Sequence, residues 1–359
     1  MSLSIEERFN LIKQVGEEII TEEELKQLLQ EKKHFTAYDG FEPSGIMHIA
    51  QGLMRAININ KMIRAGAKFK MLVADWHAWA NNKFDGDLEK IQDAGKLMIE
   101  TWKASGLDME NVEFVWANDL ISKPGYWKKV MRIATNSTLK RIIRCGQIMG
   151  RTEKEILKAS QIIYPCMQAA DIFELEVDVC QLGLDQRKVN VLARELALKL
   201  GFKKPIAVHH HMLMGLQAKQ TTTTDKIEQV IELKMSKSKP DSAIFMTDSK
   251  EDVERKIKKA YCPEKQIDQN PIIEYCKYII FEKYPRIRIE RPEKYGGDLE
   301  VNYEELIDIY SRGELHPLDL KKAVSYYINE LLEPVRKHFE KNQRARELLE
   351  RVKSYRITR

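Results

Sequence analysis

No run in this 359-residue chain approaches the roughly 18 consecutive apolar residues of a membrane span, so no membrane partner is expected. Cysteine is scarce: five residues (Cys145, Cys166, Cys180, Cys262, Cys276), none in a CxxC pair or at metal-ligand spacing. An odd, scattered set argues against a disulfide framework and for a reducing compartment. The opening MSLSIEERFNLIK carries early acidic residues and no uninterrupted apolar core, unlike a signal or transit peptide. No fixed-period repeat is visible. Charge of one sign is also in short supply, because 59 basic residues face 54 acidic ones for a net +5. That total does not by itself indicate a nucleic-acid partner; the distribution of charge has to decide.

With 43 % hydrophobic and 31 % charged residues, the chain has the proportions of a globular protein of about two domains. Helical spacing opens it, and Thr21-Glu22-Glu23-Glu24 forms a capping-box pattern. Strand-like runs follow at 35–41, 68–74, 112–117, 177–180 and 205–214, alternating with helical spacing at 48–62, 88–105 and 185–200. Such alternation predicts βαβ units and a parallel sheet covered on both faces. The polar QAKQTTTTD (217–225) reads as a surface loop. Beyond about residue 251 the pattern is mainly helical, with 23 basic and 21 acidic residues, so this part is not basic overall. The fold class is therefore α/β: a parallel-sheet domain, 1–240, followed by a mainly helical domain, 241–359.

Two motifs carry chemistry. His48-Ile49-Ala50-Gln51 follows a strand and a Gly-containing turn and opens a helix, where free N–H groups favour phosphate. An imidazole there either donates to phosphate or simply caps the helix. Lys234-Met235-Ser236-Lys237-Ser238 places two ammonium groups on a loop, either to meet polyphosphate in a transition state or as a solvated basic run. In this order around a parallel α/β domain the pair resembles the HIGH and KMSKS signatures of class I aminoacyl-tRNA synthetases, which implies a Rossmann-type parallel-sheet catalytic domain at 1–240 and a mainly helical anticodon-binding domain at 241–359. Ala50 and Gln51 depart from the first signature; Gln51 can donate a hydrogen bond but carries no charge.

Tyr164, Gln168 and Asp171 stand at i, i+4 and i+7, with Pro165 expected in the first turn, so a phenol, an amide and a carboxylate share one helix face. Gln186 could close one end of that row and Tyr38 the other. His77 either lines the same pocket or is a satisfied structural histidine. His209-His210-His211 sits on a strand whose neighbours alternate in direction, which argues against one shared metal, and no metal site is expected.

With AYDGFEPSG (37–45), VADWHAW (73–79), IIYPCMQAADI (162–172), GLDQRKVN (183–190), KMSKSKP (234–240), RPEKYGGD (291–298) and ELHPLDL (314–320), the chain resembles the archaeal and eukaryotic tyrosyl-tRNA synthetases. The resemblance implies activation of L-tyrosine with ATP, accompanied by Mg2+, and transfer to the 3′ end of tRNA(Tyr). It implies that Tyr38 and Asp171 hold the phenol and that Tyr164, Gln168 and Gln186 hold the α-amino group, with Gly40, Leu72 and His77 completing the tyrosine site. His48, Gln51, Lys234 and Lys237 would be catalytic. Met212 and Leu213 would meet adenine, and Ser236, Lys237 and Ser238 would meet the phosphates. The tryptophanyl sibling shares fold and signatures, but Tyr38 with Asp171 and the GLDQRK run favour a phenol. A non-catalytic RNA-binding relative would be expected to lose that pair or the lysine loop.

Between Lys123 and Arg144 lie seven basic residues and no acidic one, within an insertion at 120–160 that the resemblance assigns to homodimer pairing and the tRNA acceptor stem. It implies that Arg144 and Arg187 read the first base pair, while Tyr295, His316, Pro317 and Asp319 meet the anticodon by stacking and edge contact. A cytoplasmic location is expected, with no appended domain after the basic RVKSYRITR.

Overall fold

The computed structural model describes residues 3–149, 158–217, 221, 229, 232–235 and 240–356. Helix α1 (Ile5–Val15) is capped reciprocally: the Ser4 hydroxyl accepts from the Glu7 N–H, and the Glu7 carboxylate accepts from the Ser4 N–H. In α2 (Glu22–Glu31), Thr21 accepts from the Glu24 N–H, but no reciprocal bond closes the box. Between them Gly16–Ile20 forms β1, a strand that the acidic sequence GEEII does not announce.

Five strands run parallel: β2 (Phe35–Phe41), β3 (Ala67–Val73), β4 (Val112–Trp116), β5 (Val179–Gly183) and β6 (Ile206–His210). β1 adds itself antiparallel to β6, giving the order β1-β6-β5-β2-β3-β4, so the expected parallel sheet carries one antiparallel edge strand. The predicted run at 205–214 ends as a strand at His210, and the chain leaves the sheet to form the rim of a crevice. The helix expected from His48 begins as a π-helical turn, Ala50–Met54, which continues as α3 (Arg55–Arg64).

Next come α4 (Asp75–Ala80), α5 (Leu88–Ala104), α6 (Ala117–Ile121), α7 (Tyr126–Thr135), α8 (Leu139–Cys145), α9 (Ala159–Glu174) and α10 (Arg187–Ala197). The later part contains α11 (Lys250–Lys258), α12 (Pro271–Tyr275), α13 (Tyr303–Arg312), α14 (Pro317–Lys341) and α15 (Gln343–Lys353). It also contains an unforeseen antiparallel pair, β7 (Ile287–Ile289) with β8 (Leu299–Val301), each too short to show a period of two.

Among the described residues, two hydrophobic clusters make up the core. One joins α1–α3 and α5 to the C-terminal helices; the other joins α7–α10. Trp102 of α5 is fully buried, with its ring 4.9 Å from Phe41 and its indole N–H donating to the Gln51 carbonyl at 2.9 Å. That bond ties the π-helical turn to the core. Among the described residues no helix is long and apolar enough to cross a membrane.

From β2 the sheet grows one way through β3 and β4, and β5 and β6 then fill the other side. The carboxyl ends of β2 and β5 therefore diverge at a topological switch point, where α/β sheets form ligand crevices.

Candidate active site

A cavity occupies that switch point, lined by Tyr38, Gly40, Gln51, Leu72, His77, Tyr164, Gln168, Asp171, Gln186, Met212, Leu213 and Lys234 among others. Twelve positions singled out in the sequence thus meet around one space. Helix α9 supplies the row Tyr164, Gln168 and Asp171, all buried. The helix starts at Ala159, earlier than expected, so Pro165 lies inside it and not in its first turn. A proline there gives up one ladder hydrogen bond.

At the deep end the Tyr38 side chain is 1 % exposed, and its hydroxyl, with the Gln168 amide close by, makes no hydrogen bond of good geometry among the described residues. Burial first, then the nearby Cys180 thiol and the Asp171 and Asp39 carboxylates, push its pKa well above the ordinary phenol value, so it stays a neutral donor. Asp171 is fully buried. Its Oδ1 accepts from the Tyr126 hydroxyl at 2.8 Å, and its Oδ2 lies 2.9 Å from His77 Nε2. Burial alone would lower the His77 imidazole; Asp171, with Glu42 and Asp75, outweighs it and raises the pKa. Tyr126 was not foreseen, because it sits in a segment read only for its lysines and arginines.

Along the row, the Tyr164 hydroxyl donates to Glu42 Oε1 at 2.6 Å, and its ring meets His77 edge-on at 5.0 Å. Asn81 also donates to Glu42, at 3.1 and 3.2 Å to its two oxygens. Gln168 donates to Gln186 Oε1 at 3.1 Å, joining α9 to the turn that begins α10. Glu42 is a second residue that the sequence pattern did not single out, although it stands in the quoted EPSG turn. Beneath the cavity, Arg55 pairs with Asp39 at 2.8 Å and donates to Gln181 Oε1 at 2.6 Å, all three buried. Burial raises Asp39 to about 6 against the pull of Arg55, and keeps His210 well below the usual imidazole range.

At the open end Gln51 lines the cavity, and its Oε1 is buried with no hydrogen-bond partner among the described residues. His48 lies one turn back. Its backbone bridges to Phe245, and its carbonyl accepts from the Gln51 and Gly52 N–H groups at 2.9 and 3.0 Å. Gly52 is needed for close packing, since a Cβ there would come within 2.2 Å of Met246 Sδ. Lys234 reaches Asp185 at 2.9 Å. Ser236, Lys237 and Ser238 lie outside the described residues, as does most of the threonine run.

The three consecutive histidines have separate partners. His209 faces Glu18 and Asn190, His210 faces Arg55 and Gln181, and His211 faces Glu17 and Glu274.

The family model of tRNA synthetases class I (W and Y) matches residues 30–333. Over all of its length the chain is 51 % identical to tyrosine–tRNA ligase 1, cytoplasmic, of Arabidopsis thaliana, covering 91 % of that protein. It is equally similar, at 51 %, to tyrosine–tRNA ligase 2, cytoplasmic, of the same plant, but spans only 47 % of its length. The fold matches the tyrosyl-tRNA synthetase complexed with L-tyrosine from Pyrococcus horikoshii, with a TM-score of 0.90 and 41 % identity over 97 % of this chain and 100 % of that one. The chain belongs to the tyrosyl-tRNA synthetases.

None of the positions implied for tRNA in this synthetase is among the residues that line the cavity. Arg144 is exposed on α8. Arg187 pairs through Nε with both Glu18 oxygens at 2.9 Å. Of the other basic residues in the 123–144 stretch, Lys123 and Lys129 pair with Glu174, Arg132 with the Leu200 carbonyl and Arg141 with Glu195. Two carboxylates therefore offset part of the positive charge of the stretch and leave an excess of cations. Tyr295 is 62 % exposed under Lys294. His316 caps α14, accepting from the Leu318 N–H at 3.2 Å; Pro317 is buried in the first turn and Asp319 is half-buried. Arg291 draws the two segments together, donating to the Gly297 and Glu314 carbonyls, each at 2.9 Å.

Proposed function

We propose that this cavity binds L-tyrosine with its phenol between Tyr38 and Asp171, and ATP at the end formed by Gln51, Met212, Leu213 and the 234–238 loop. The enzyme is a tyrosine–tRNA ligase: it forms tyrosyl-adenylate and pyrophosphate, then transfers the tyrosyl group to the 3′ end of tRNA. The observation that carries the site assignment is the Tyr38 hydroxyl, buried beside Gln168 without a well-formed hydrogen bond among the described residues, in the same cavity as the Asp171 carboxylate. A buried donor left unmatched costs about 1–3 kcal/mol, so a ligand that brings an acceptor oxygen is favoured. A phenol does this and can donate its own proton to Asp171, whereas a phenylalanine ring can do neither. Tyrosyl-tRNA synthetases are themselves the established example of a site that rejects the hydroxyl-less analogue by roughly 10⁵-fold without editing.

Catalysis rests on position and charge stabilisation. Tyr164, Gln168 and Gln186 hold the α-amino end, with Gly40, Leu72 and His77 in the walls. His48, Gln51, Lys234, Ser236, Lys237 and Ser238 meet the phosphates as charge develops, with Mg2+ entering on ATP. The catalytic work belongs to 1–240 and anticodon contact to 241–359, through Tyr295, His316, Pro317 and Asp319. Arg144 and Arg187 serve the acceptor stem. Exposed Trp127, Met131 and Leu139, at 42 %, 59 % and 60 %, suit a homodimer contact within the 120–160 insertion. A cytoplasmic location accords with the names of the two plant relatives. ATP–pyrophosphate exchange with each of the twenty amino acids tests the reading: tyrosine alone should drive it, and equal exchange with tryptophan would overturn the specificity.

A further inference from the structure

His211 leaves the sheet at the end of β6 and lines the open end of the cavity beside Met212. Both ring nitrogens face carboxylates: Nδ1 is hydrogen-bonded to Glu17 on β1 at 3.1 Å, and Nε2 is in ion-pair contact with Glu274 on α12 at 3.1 Å, outside hydrogen-bond geometry. The ring stacks on Tyr278 at 4.3 Å with an interplanar angle of 11°. Its side chain is 16 % exposed, so these contacts are poorly screened.

Glu274 does two jobs. The same oxygen that faces His211 also accepts from the Met214 N–H at 2.9 Å, and neighbouring Tyr275 donates to the Met214 carbonyl at 3.2 Å. Met214 is thus gripped on both backbone groups by one short helix from the C-terminal part. The gripped segment pairs in turn with the stretch entering the lysine loop: Gly215 donates to the Leu233 carbonyl at 2.8 Å, and Met235 donates to the Leu213 carbonyl at 3.1 Å.

We propose that His211 is a positioning residue for the nucleotide, a cationic clip through which α12 fixes the 212–215 backbone and, with it, the arm that carries Lys234. This rests on the reading that Met212 and Leu213 face ATP. Tyrosine sits at the other end of the cavity, so its binding should be insensitive to the clip.

The groups facing the imidazole are Glu17 from β1, Glu274 and Tyr278 from α12 and the turn after it, Lys277 beside Tyr278, and His210 from β6. Burial alone would neutralise His211, but the two carboxylates hold its pKa up at about 9. The cation is therefore present at neutral pH and lost as pH rises through about 9.

Tyrosine-dependent pyrophosphate exchange by His211→Asn tests this. KM for ATP should rise about tenfold, the scale of one lost charged hydrogen bond, while KM for tyrosine stays within about twofold. In the wild type, KM for ATP should rise as pH passes about 9; in Glu17→Gln that break should move to lower pH, and in His211→Asn it should vanish. An unchanged KM for ATP, or both KM values rising together, overturns the clip. A wild type with no tyrosine-dependent exchange overturns the underlying reading of the cavity instead.

Discussion

The hydroxyl of Tyr126, on α7, donates to Asp171 Oδ1, on α9, at 2.8 Å. With His77 in ion-pair contact at 2.9 Å on the other oxygen, the carboxylate is approached from two sides and keeps lone pairs available to a ligand. Tyr126→Phe removes one anchor and adds no charge. A hydrogen bond to a charged acceptor contributes about 1.5–3 kcal/mol, so tyrosine-over-phenylalanine selectivity should fall by roughly 10- to 100-fold. Exchange rates with each amino acid measure it. Unchanged selectivity would mean that Asp171 needs no help from α7.

Lys234 reaches Asp185 at 2.9 Å across the mouth of the cavity, with side chains 24 % and 9 % exposed. An ammonium group positioned there can follow phosphate charge that grows only in the transition state. Lys234→Ala should therefore lower kcat for adenylate formation by about 2–4 kcal/mol and leave KM for tyrosine nearly unchanged. Lys237→Ala should act in the same way. A collapse of tyrosine affinity at constant kcat would assign the loop to ground-state binding.

Gly95 in the middle of α5 tests the packing of that helix on the sheet. A Cβ there would lie 2.7 Å from the Trp116 ring and 2.8 Å from Val73 Cγ1. Alanine improves helix propensity by about 1 kcal/mol, but overpacking against a rigid indole costs typically 1–3 kcal/mol. Gly95→Ala should on balance destabilise the fold, seen as a lower urea midpoint at unchanged slope. A higher midpoint would show that the interface yields.

The parallel strands and the α9 row were legible because each leaves a periodic trace: apolar runs between turns, and polar residues at i, i+4 and i+7 among isoleucines. Strand β1 left none. GEEII is short and acidic; it pairs along β6, and its Glu18 finds His209 and Arg187 across the sheet edge. Tyr126 and Glu42 were equally silent, since neither the phenol nor the carboxylate stands at a helical interval from the groups it serves. His48 was legible as a helix start, but the start itself came two residues later, at Ala50, with Gln51 facing the cavity. The basic stretch misled in another way. A count of charge does not show that Glu174 and Glu195, distant in sequence, return to pair with three of its members, Lys123 and Lys129 sharing the first.

His316 carries two roles that have to be separated. Its Nδ1 caps α14 by accepting from the Leu318 N–H, and its exposed ring is the group proposed to stack on an anticodon base. Losing the cap costs about 0.5–2 kcal/mol of stability, and losing one base–aromatic stack costs about 1–3 kcal/mol of binding. His316→Ala removes both. His316→Asn keeps a cap acceptor but loses the aromatic ring. Both variants should form tyrosyl-adenylate at nearly the wild-type rate, because the residue lies in the part without the cavity. Both should charge tRNA roughly ten- to a hundredfold more slowly, and the defect should shrink with transcripts whose anticodon is altered. If His316→Asn charges normally while His316→Ala does not, the cap explains the loss and the stacking role falls. If either variant cripples pyrophosphate exchange as severely as charging, the residue supports the cavity and the anticodon assignment is wrong.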